Sequence, residues 1–162
     1  MELINQYFNY KQKLLIYLED NAMTKSNITW NAKQIAKMVQ TRIEVFPDIA
    51  GHIDFFDELP DYDISMYTHK KMKTDAAVSL ANLELVKPVL EALPEWNETA
   101  VHDAVMAKIQ EAGLKNGAVL WPLRIAISGV ASTPGGAFEI AGLLGREETL
   151  RRLNLGLEKL SR

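Results

Sequence analysis

Apolar residues recur at every third or fourth position along most of this chain, whereas strict alternation of apolar and polar residues is nearly absent. This periodicity favours helices over strands. We therefore expect an all-α protein of about eight helices, including short helical turns in the segment PDIAGHIDFFDELPDYD. The other helices are predicted over residues 2–20, 31–45, 74–93, 98–112, 117–128 and 146–160, with a short one over 137–144.

Several residues mark the ends of these predicted helices. Asn97 is a favourable N-cap for ETAVHDAVMAKIQEAG, and Gly113 supplies a left-handed C-terminus. Gly129 and Gly145 are expected to end two of the helices that follow. Pro88 is expected to kink or interrupt the 74–93 helix, because proline cannot donate a backbone hydrogen bond.

The helices are expected to form two packed helical subdomains, residues 1–95 and residues 96–162. A change of composition near PEWN places this boundary, and residues 1–29 are the least certain part of the first subdomain. The first predicted helix lacks a capping residue, which favours reading the chain as a piece of a longer protein.

Two arginines interrupt apolar helical faces. Arg42 lies between Met38 and Phe46 on the apolar face of the 31–45 helix, and Arg124 borders an apolar stripe in WPLRIAISG. One interpretation is structural: a snorkelling side chain, or for Arg42 an ion pair with a carboxylate such as Asp48. The other is that each guanidinium faces a partner. The residue pattern alone leaves both open.

The sequence around Arg124 adds two further candidates. Trp121 is either a core residue or an exposed platform on which a base stacks. The turn STPGG offers the hydroxyl groups of Ser132 and Thr133, and its glycines allow close approach of a ligand to the backbone. Such a turn also commonly does no more than join two helices.

Composition and charge narrow the function classes. The chain has 162 residues, 48% of them hydrophobic, and contains no cysteine. A sizeable core is therefore expected, and disulfides and thiolate zinc sites are excluded. The three histidines, His52, His69 and His102, form no pair with the spacing of a metal site. No phosphate-loop, dinucleotide or serine-nucleophile motif is present, so nothing supports catalysis. We expect a cytoplasmic protein without a membrane span.

The net charge of −3 argues weakly against general affinity for nucleic acid. Residues 96–162, however, hold 8 Lys and Arg against 7 Asp and Glu. This balance permits a local basic site. Arg151 and Arg152 are interpreted either as a solvated helix face or as phosphate contacts.

The segment KNGAVLWPLRIAISG, followed by STPGGAFEIAGLLGREETLRRL, resembles the C-terminal anticodon-binding region of bacterial glutamate–tRNA ligases, which are class I aminoacyl-tRNA synthetases. NAKQIAKMVQTRIEVFPDIAGHIDFF and YTHKKMKTD are similar to the same region. The resemblance covers residues 30–160 and implies an α-helix cage that grips an anticodon loop.

The resemblance also assigns roles to residues. Arg42 corresponds to the arginine that reads the third anticodon base, and Arg124 to a second arginine facing the anticodon. Thr133, Pro134 and Gly135 correspond to the turn that contacts the loop, with Phe138 close behind, and Trp121 is expected beside them.

The implied function is recognition of the anticodon loop of tRNA-Glu, beside a catalytic domain of the same enzyme that this chain does not contain. The segment KKMKTD lacks the serine of the catalytic Lys-Met-Ser-Lys-like signature. The chain alone is therefore not expected to be an enzyme, to need a cofactor, since ATP and Mg²⁺ belong to the catalytic domain, or to contact a membrane. It is expected to be monomeric. The alternative is a free-standing helical interaction module on the same scaffold that does not bind tRNA.

Overall fold

The computed structural model describes Met38 and residues 54–162. The chain divides into two compact units, residues 1–58 and residues 59–162. In the first unit, Met38 is helical and buried, and residues 54–57 are helical, with the rings of Phe55 and Phe56 stacked 4.3 Å apart. The predicted helices over 2–20 and 31–45, and Arg42, lie outside the described residues, apart from Met38.

The second unit is built from one 3-10 helix and five α-helices. The 3-10 helix covers Ile64–Tyr67. The α-helices are α1 (Ala76–Glu91), α2 (Glu98–Glu111), α3 (Asn116–Ser128), α4 (Ala137–Leu144) and α5 (Arg146–Leu160). Within the described ranges there is no strand, only an isolated antiparallel bridge between His69 and Thr74. The all-helical class predicted from periodicity is confirmed there, and the total of about eight helices stays a prediction.

Local chemistry sets the helix ends close to their predicted positions. The Asn97 side chain accepts a 2.8 Å hydrogen bond from the amide of Ala100, which caps α2 as expected. Asp75 caps α1 in the same way through the amide of Val78. Gly113 has φ +65° just after α2, which is the left-handed conformation that glycine adopts at little cost. Helix α1 continues through Pro88 to Glu91, so the proline does not interrupt it.

The core of the second unit lies between α1, α3 and α5, with α2 and α4 packed alongside. It is lined by large apolar side chains that are fully or almost fully buried: Leu83, Val86, Leu90, Val105, Ile109, Leu123, Ile125, Ile127, Ile140 and Leu153. The predicted subdomain boundary at residues 95 and 96 falls inside this unit, between α1 and α2, which pack against each other. The assignment of a recognition role to each predicted subdomain stays a prediction.

Two hydrogen bonds join the connection between α1 and α2 to α4 and α5. The indole Nε1 of Trp96 donates a 2.9 Å hydrogen bond to the carbonyl of Ala141 on α4. The guanidinium of Arg146, at the start of α5, donates to the carbonyl of Leu93 and lies 5.8 Å from the centre of the Trp96 ring. In the described part of the chain, no helix is long and apolar enough to cross a membrane.

Candidate nucleic-acid interface

The end of α3 directs the chain into the loop that carries the predicted site. Gly129 ends the helix with φ +66°, and its amide donates to the carbonyl of Ile125. A Cβ at this position would lie 2.9 Å from Cγ of Pro60 and 3.0 Å from Cδ1 of Tyr62. Both the backbone conformation and the neighbours therefore require glycine, and the loop over residues 130–136 leaves α3 in a fixed direction.

Arg124 lies one turn before the end of α3 and turns back onto this loop. Its Nη1 donates a 2.7 Å hydrogen bond to Oγ1 of Thr133, and its Nη2 donates 2.9 Å to the carbonyl of Ala131. The guanidinium carbon also lies 4.8 Å from the centre of the Trp121 ring. These contacts hold a half-buried cation at one orientation on the surface, since both the loop and the indole restrict the plane of the guanidinium.

Trp121 is half-buried, which is intermediate between the two alternatives that the sequence left open. Its Nε1 donates a 3.0 Å hydrogen bond to the carbonyl of Met66, which anchors one edge of the indole to the 3-10 helix. Its ring also contacts the His69 ring, with the centroids 4.1 Å apart and tilted by 54°. Trp121 is thus an aromatic ring held in place by its contacts with Met66, Arg124 and His69.

The predicted turn is held by its own hydrogen bonds. Thr133 is only 4% exposed, and its hydroxyl group donates a 2.7 Å hydrogen bond to the carbonyl of Gly135 while accepting from Arg124. Pro134 is buried and Gly135 is half-buried. The hydroxyl proton of Thr133 is therefore used to shape the turn, whereas Ser132 beside it is exposed.

Phe138 lies in the first turn of α4, but its ring packs against a residue of another helix. It meets the ring of His102 on α2 edge-on, with the centroids 4.9 Å apart. The structure therefore brings Trp121, Arg124 and Thr133 into one contact cluster, with Pro134 and Gly135 in the same turn. Phe138 is close to that turn in sequence, and Arg42 lies outside the described residues.

The hairpin over residues 69–74, HKKMKT, was not predicted as part of the site. His69 and Thr74 exchange backbone hydrogen bonds of 3.0 and 3.2 Å, and His69 at its base touches Trp121. Lys70, Lys71 and Lys73 on this hairpin are exposed. The signal available in the sequence was the density of lysines in KKMK, three in four residues.

Arg151 and Arg152 do not form a solvated basic face together. Arg152 is 0% exposed; its Nε donates 2.6 Å to Glu148 and its Nη1 donates 2.9 Å to the carbonyl of Ile127 near the end of α3. Arg151 makes two hydrogen bonds to the same carboxylate, of 2.7 and 2.8 Å. The hydrogen bonds from Arg151 and Arg152 hold the pKa of Glu148 below its ordinary value, against the opposing effect of burial. Arg152 therefore joins α5 to the end of α3, from which the loop over residues 130–136 leaves.

Comparison with known proteins identifies the family of the chain. Residues 2–157 match the family described as "Anticodon binding domain". The chain is 51% identical over 143 residues to glutamate–tRNA ligase of Clostridium acetobutylicum, which covers 88% of this chain and 29% of that protein. It is 54% identical over 132 residues to the same enzyme of Lachnoclostridium phytofermentans, which covers 82% of this chain and 27% of that protein. The chain thus spans less than a third of the length of these curated relatives.

A solved structure supports the fold. The glutamate–tRNA ligase of Elizabethkingia meningosepticum, crystallised with its amino acid, superposes with a TM-score of 0.68 over 96% of this chain and 31% of that one, at 21% identity. At this identity the likeness concerns the fold alone. The match over residues 2–157 and the high identity to the curated relatives lead to one assignment: the chain belongs to the anticodon-binding domain family found in glutamate–tRNA ligases.

Proposed function

We propose that this chain binds the anticodon loop of tRNA-Glu and supplies tRNA selection to a glutamate–tRNA ligase. Its curated relatives bear that enzyme's name, and its family is defined by anticodon binding. The catalytic step, with its ATP and Mg²⁺, is assigned to a separate catalytic domain of the same enzyme. A monomeric state and a cytoplasmic location belong to the same proposal.

The observation that carries the proposal is the fixed orientation of Arg124. Proteins that read RNA sequence bind unstacked loop bases, stack them on aromatic rings or guanidinium planes, and hydrogen-bond to their edges. Arg124 lies 4.8 Å from the Trp121 ring and is hydrogen-bonded to Thr133, so its plane is set before RNA arrives. A donor group already held in place loses less conformational entropy when it binds, which favours selectivity.

The remaining site residues have supporting roles in this proposal. Thr133, Pro134 and Gly135 belong to the turn that contacts the anticodon loop beside Arg124, and Phe138 follows that turn at the start of α4. Trp121 provides the surface on which a base stacks. Arg42 reads the third anticodon base, as the resemblance implies, and this role rests on the sequence.

Fluorescence anisotropy with a labelled tRNA-Glu anticodon stem-loop tests the proposal. The wild-type chain should prefer the natural loop to one in which the third anticodon base is changed to guanine. Arg42→Ala should reduce that preference. Arg124→Gln should weaken binding by about 5- to 150-fold, since a well-made base contact is worth roughly 1–3 kcal/mol.

Arg151→Gln is the matched control, because it removes an exposed guanidinium that is held by a carboxylate of its own helix. It should bind RNA like the wild type. Equal affinity of the wild-type chain for both loops would overturn the proposed specificity. No measurable binding to either loop would favour the interaction module instead.

A further inference from the structure

We infer that the hairpin over residues 69–74 is a second RNA contact, which binds the phosphates of the nucleotides flanking the anticodon. This inference rests on the proposed function and deepens it. Arg124 and Trp121 are suited to bases, whereas the hairpin presents a different chemistry directly beside them. Four observations carry it: the shape of the hairpin, its anchorage, its charge and its position.

The hairpin has a defined shape. Two backbone hydrogen bonds between His69 and Thr74 close its base, and the amide of Met72 donates 3.2 Å to Nδ1 of His69 across the turn. The hydroxyl group of Thr74 donates 2.7 Å to the carbonyl of Tyr67 and joins the base to the 3-10 helix. The loop is therefore an ordered turn whose backbone geometry is specified by its own hydrogen bonds.

The hairpin is also seated on α3. A Cβ added at Gly117 would lie 2.4 Å from Sδ of Met72, so the methionine occupies the space that a glycine leaves open on the helix. His69 contacts Trp121 one helical turn further along. Two anchors on the helix that carries Arg124 fix the hairpin relative to the proposed base-reading site.

The exposed part of the hairpin is cationic. Lys70, Lys71 and Lys73 all face solvent. The ion pairs of the part of the chain that the structure describes involve other cations, and within it no carboxylate lies within 4.0 Å of these three amines. The chain as a whole has a net charge of −3, so the positive charge of these three lysines is opposite in sign to that of the whole chain.

The backbone at Lys73 adds weight to the charge argument. Lys73 has φ +56° and is the one residue other than glycine with positive φ among residues 54–162. A left-handed conformation costs a residue with a Cβ roughly 1–2 kcal/mol, and glycine or asparagine would adopt it more readily. The sequence nevertheless places a lysine there, which favours a role of its ammonium group in binding a ligand.

Phosphate is the ligand that fits this group best. Lysine ammonium groups act as mobile point charges that bind phosphate oxygens without reading the base. His69 touches Trp121 and is followed directly by Lys70, and consecutive Cα atoms are about 3.8 Å apart. An RNA strand with one base on Trp121 would therefore carry its adjoining phosphates past the lysines. The hairpin supplies affinity, and the residues around Arg124 supply selectivity.

The double variant Lys70→Gln/Lys71→Gln tests the inference, with Lys87→Gln/Lys108→Gln as the matched control. The control removes the same charge from two lysines that are paired with glutamates of their own helices. Binding of the natural and the guanine-substituted stem-loops is titrated at several salt concentrations. The hairpin variant should bind both loops more weakly by the same factor, leaving their ratio unchanged. The slope of log K against log salt, which is negative, should become shallower by about 1.4 for two lost phosphate contacts on a single strand.

The outcomes separate the inference from the proposed function. If the wild type discriminates between the loops but the hairpin variant keeps its affinity and its salt slope, the hairpin is not an RNA contact. An equal loss in the control pair would show that only net charge matters, and would also overturn the inference. If the wild type itself fails to discriminate, the proposed specificity fails, while a selective loss in the hairpin variant would still identify the hairpin as a phosphate contact. Far-ultraviolet circular dichroism of each variant verifies that it is folded.

Discussion

Arg124 and Thr133 are joined by a 2.7 Å hydrogen bond from the guanidinium Nη1 to the threonine hydroxyl oxygen, and the same hydroxyl group donates 2.7 Å to the carbonyl of Gly135. One buried hydroxyl group thus connects the end of α3 to the turn that follows it. The orientation of Arg124 and the shape of the turn depend on each other.

Thr133→Val should therefore lower both stability and RNA binding. Valine has the same shape as threonine but leaves one guanidinium donor and one part-buried carbonyl without this partner, which costs about 1–3 kcal/mol. Urea unfolding measures the first effect, and anisotropy with the anticodon stem-loop measures the second. Thr133→Ser keeps the hydroxyl group and should retain most of both. A valine variant with unchanged stability and affinity would show that this hydrogen bond does not organise the site.

Trp121 offers a separate test of base stacking. Alanine substitution of an aromatic residue that stacks on a single-stranded base costs about 1–3 kcal/mol, so Trp121→Ala should weaken binding of both stem-loops by about 5- to 150-fold. Trp121→Phe keeps an aromatic face and should retain much of the affinity, although it removes the hydrogen bond to the carbonyl of Met66. Isothermal titration calorimetry distinguishes the two variants. Equal affinities for alanine and phenylalanine would argue against stacking on this ring.

Local rules predicted the helices of the second unit well. The residues that end them act through short-range backbone chemistry: Asn97 through the amide of Ala100, and Gly113 and Gly129 through positive φ. The limits of predicted helices 137–144 and 146–160 are those of α4 and α5, and Gly145 separates the two helices. Such signals are contained within a few residues, so they can be read from the sequence.

Contacts between distant residues could not be read in this way. The hydrogen bond from Trp121 to the carbonyl of Met66 joins positions 55 residues apart, and helical periodicity carries no information about such a pair. The sequence predicts either a solvated face or a phosphate contact for Arg152, yet this residue is buried, and its guanidinium donates to Glu148 and to the carbonyl of Ile127. The predicted site around Arg124 came from an irregularity in the apolar pattern and from the resemblance, whereas the neighbouring hairpin required the structure.

The cluster of Glu148, Arg151 and Arg152 predicts a dependence of stability on acid pH. The two arginines lower the pKa of Glu148 in the folded protein. The stability that ionised Glu148 contributes is therefore fully present above the pKa of the unfolded chain, near 4.5. It is lost as the pH falls through the lower pKa of the folded protein. Glu148→Gln should be less stable at neutral pH and should lose less stability on acidification. Chemical denaturation at a series of pH values measures this difference.

Glu147→Gln is the control for this experiment. Glu147 is exposed on the first turn of the same helix, and among the described residues it forms no ion pair. Its substitution should leave the difference between neutral and acid stability close to that of the wild type. If Glu148→Gln loses as much stability on acidification as the wild type does, the cluster does not control the acid response.

Gly156 on α5 faces closely packed neighbours. A Cβ there would lie 2.7 Å from the hydroxyl oxygen of Tyr67 and 3.0 Å from Cβ of Ala126 on α3. The Tyr67 hydroxyl group is itself hydrogen-bonded to Tyr62 at 2.8 Å, so it cannot move away without breaking that bond. Alanine is favoured over glycine within a helix by about 1 kcal/mol, and overpacking of a filled core costs typically 1–3 kcal/mol.

Gly156→Ala should therefore destabilise the protein, because the backbone of α5 would have to move away from α3. Asn154→Ala, at an exposed position of the same helix, changes helix propensity without a steric conflict and should be neutral or slightly stabilising. Thermal unfolding of the two variants separates propensity from packing. Since Ala126 lies two residues beyond Arg124 on α3, the shift should also weaken binding of the anticodon stem-loop. If Gly156→Ala gains stability, α5 and α3 separate at little cost, and the contact at Gly156 does not hold α3 in place.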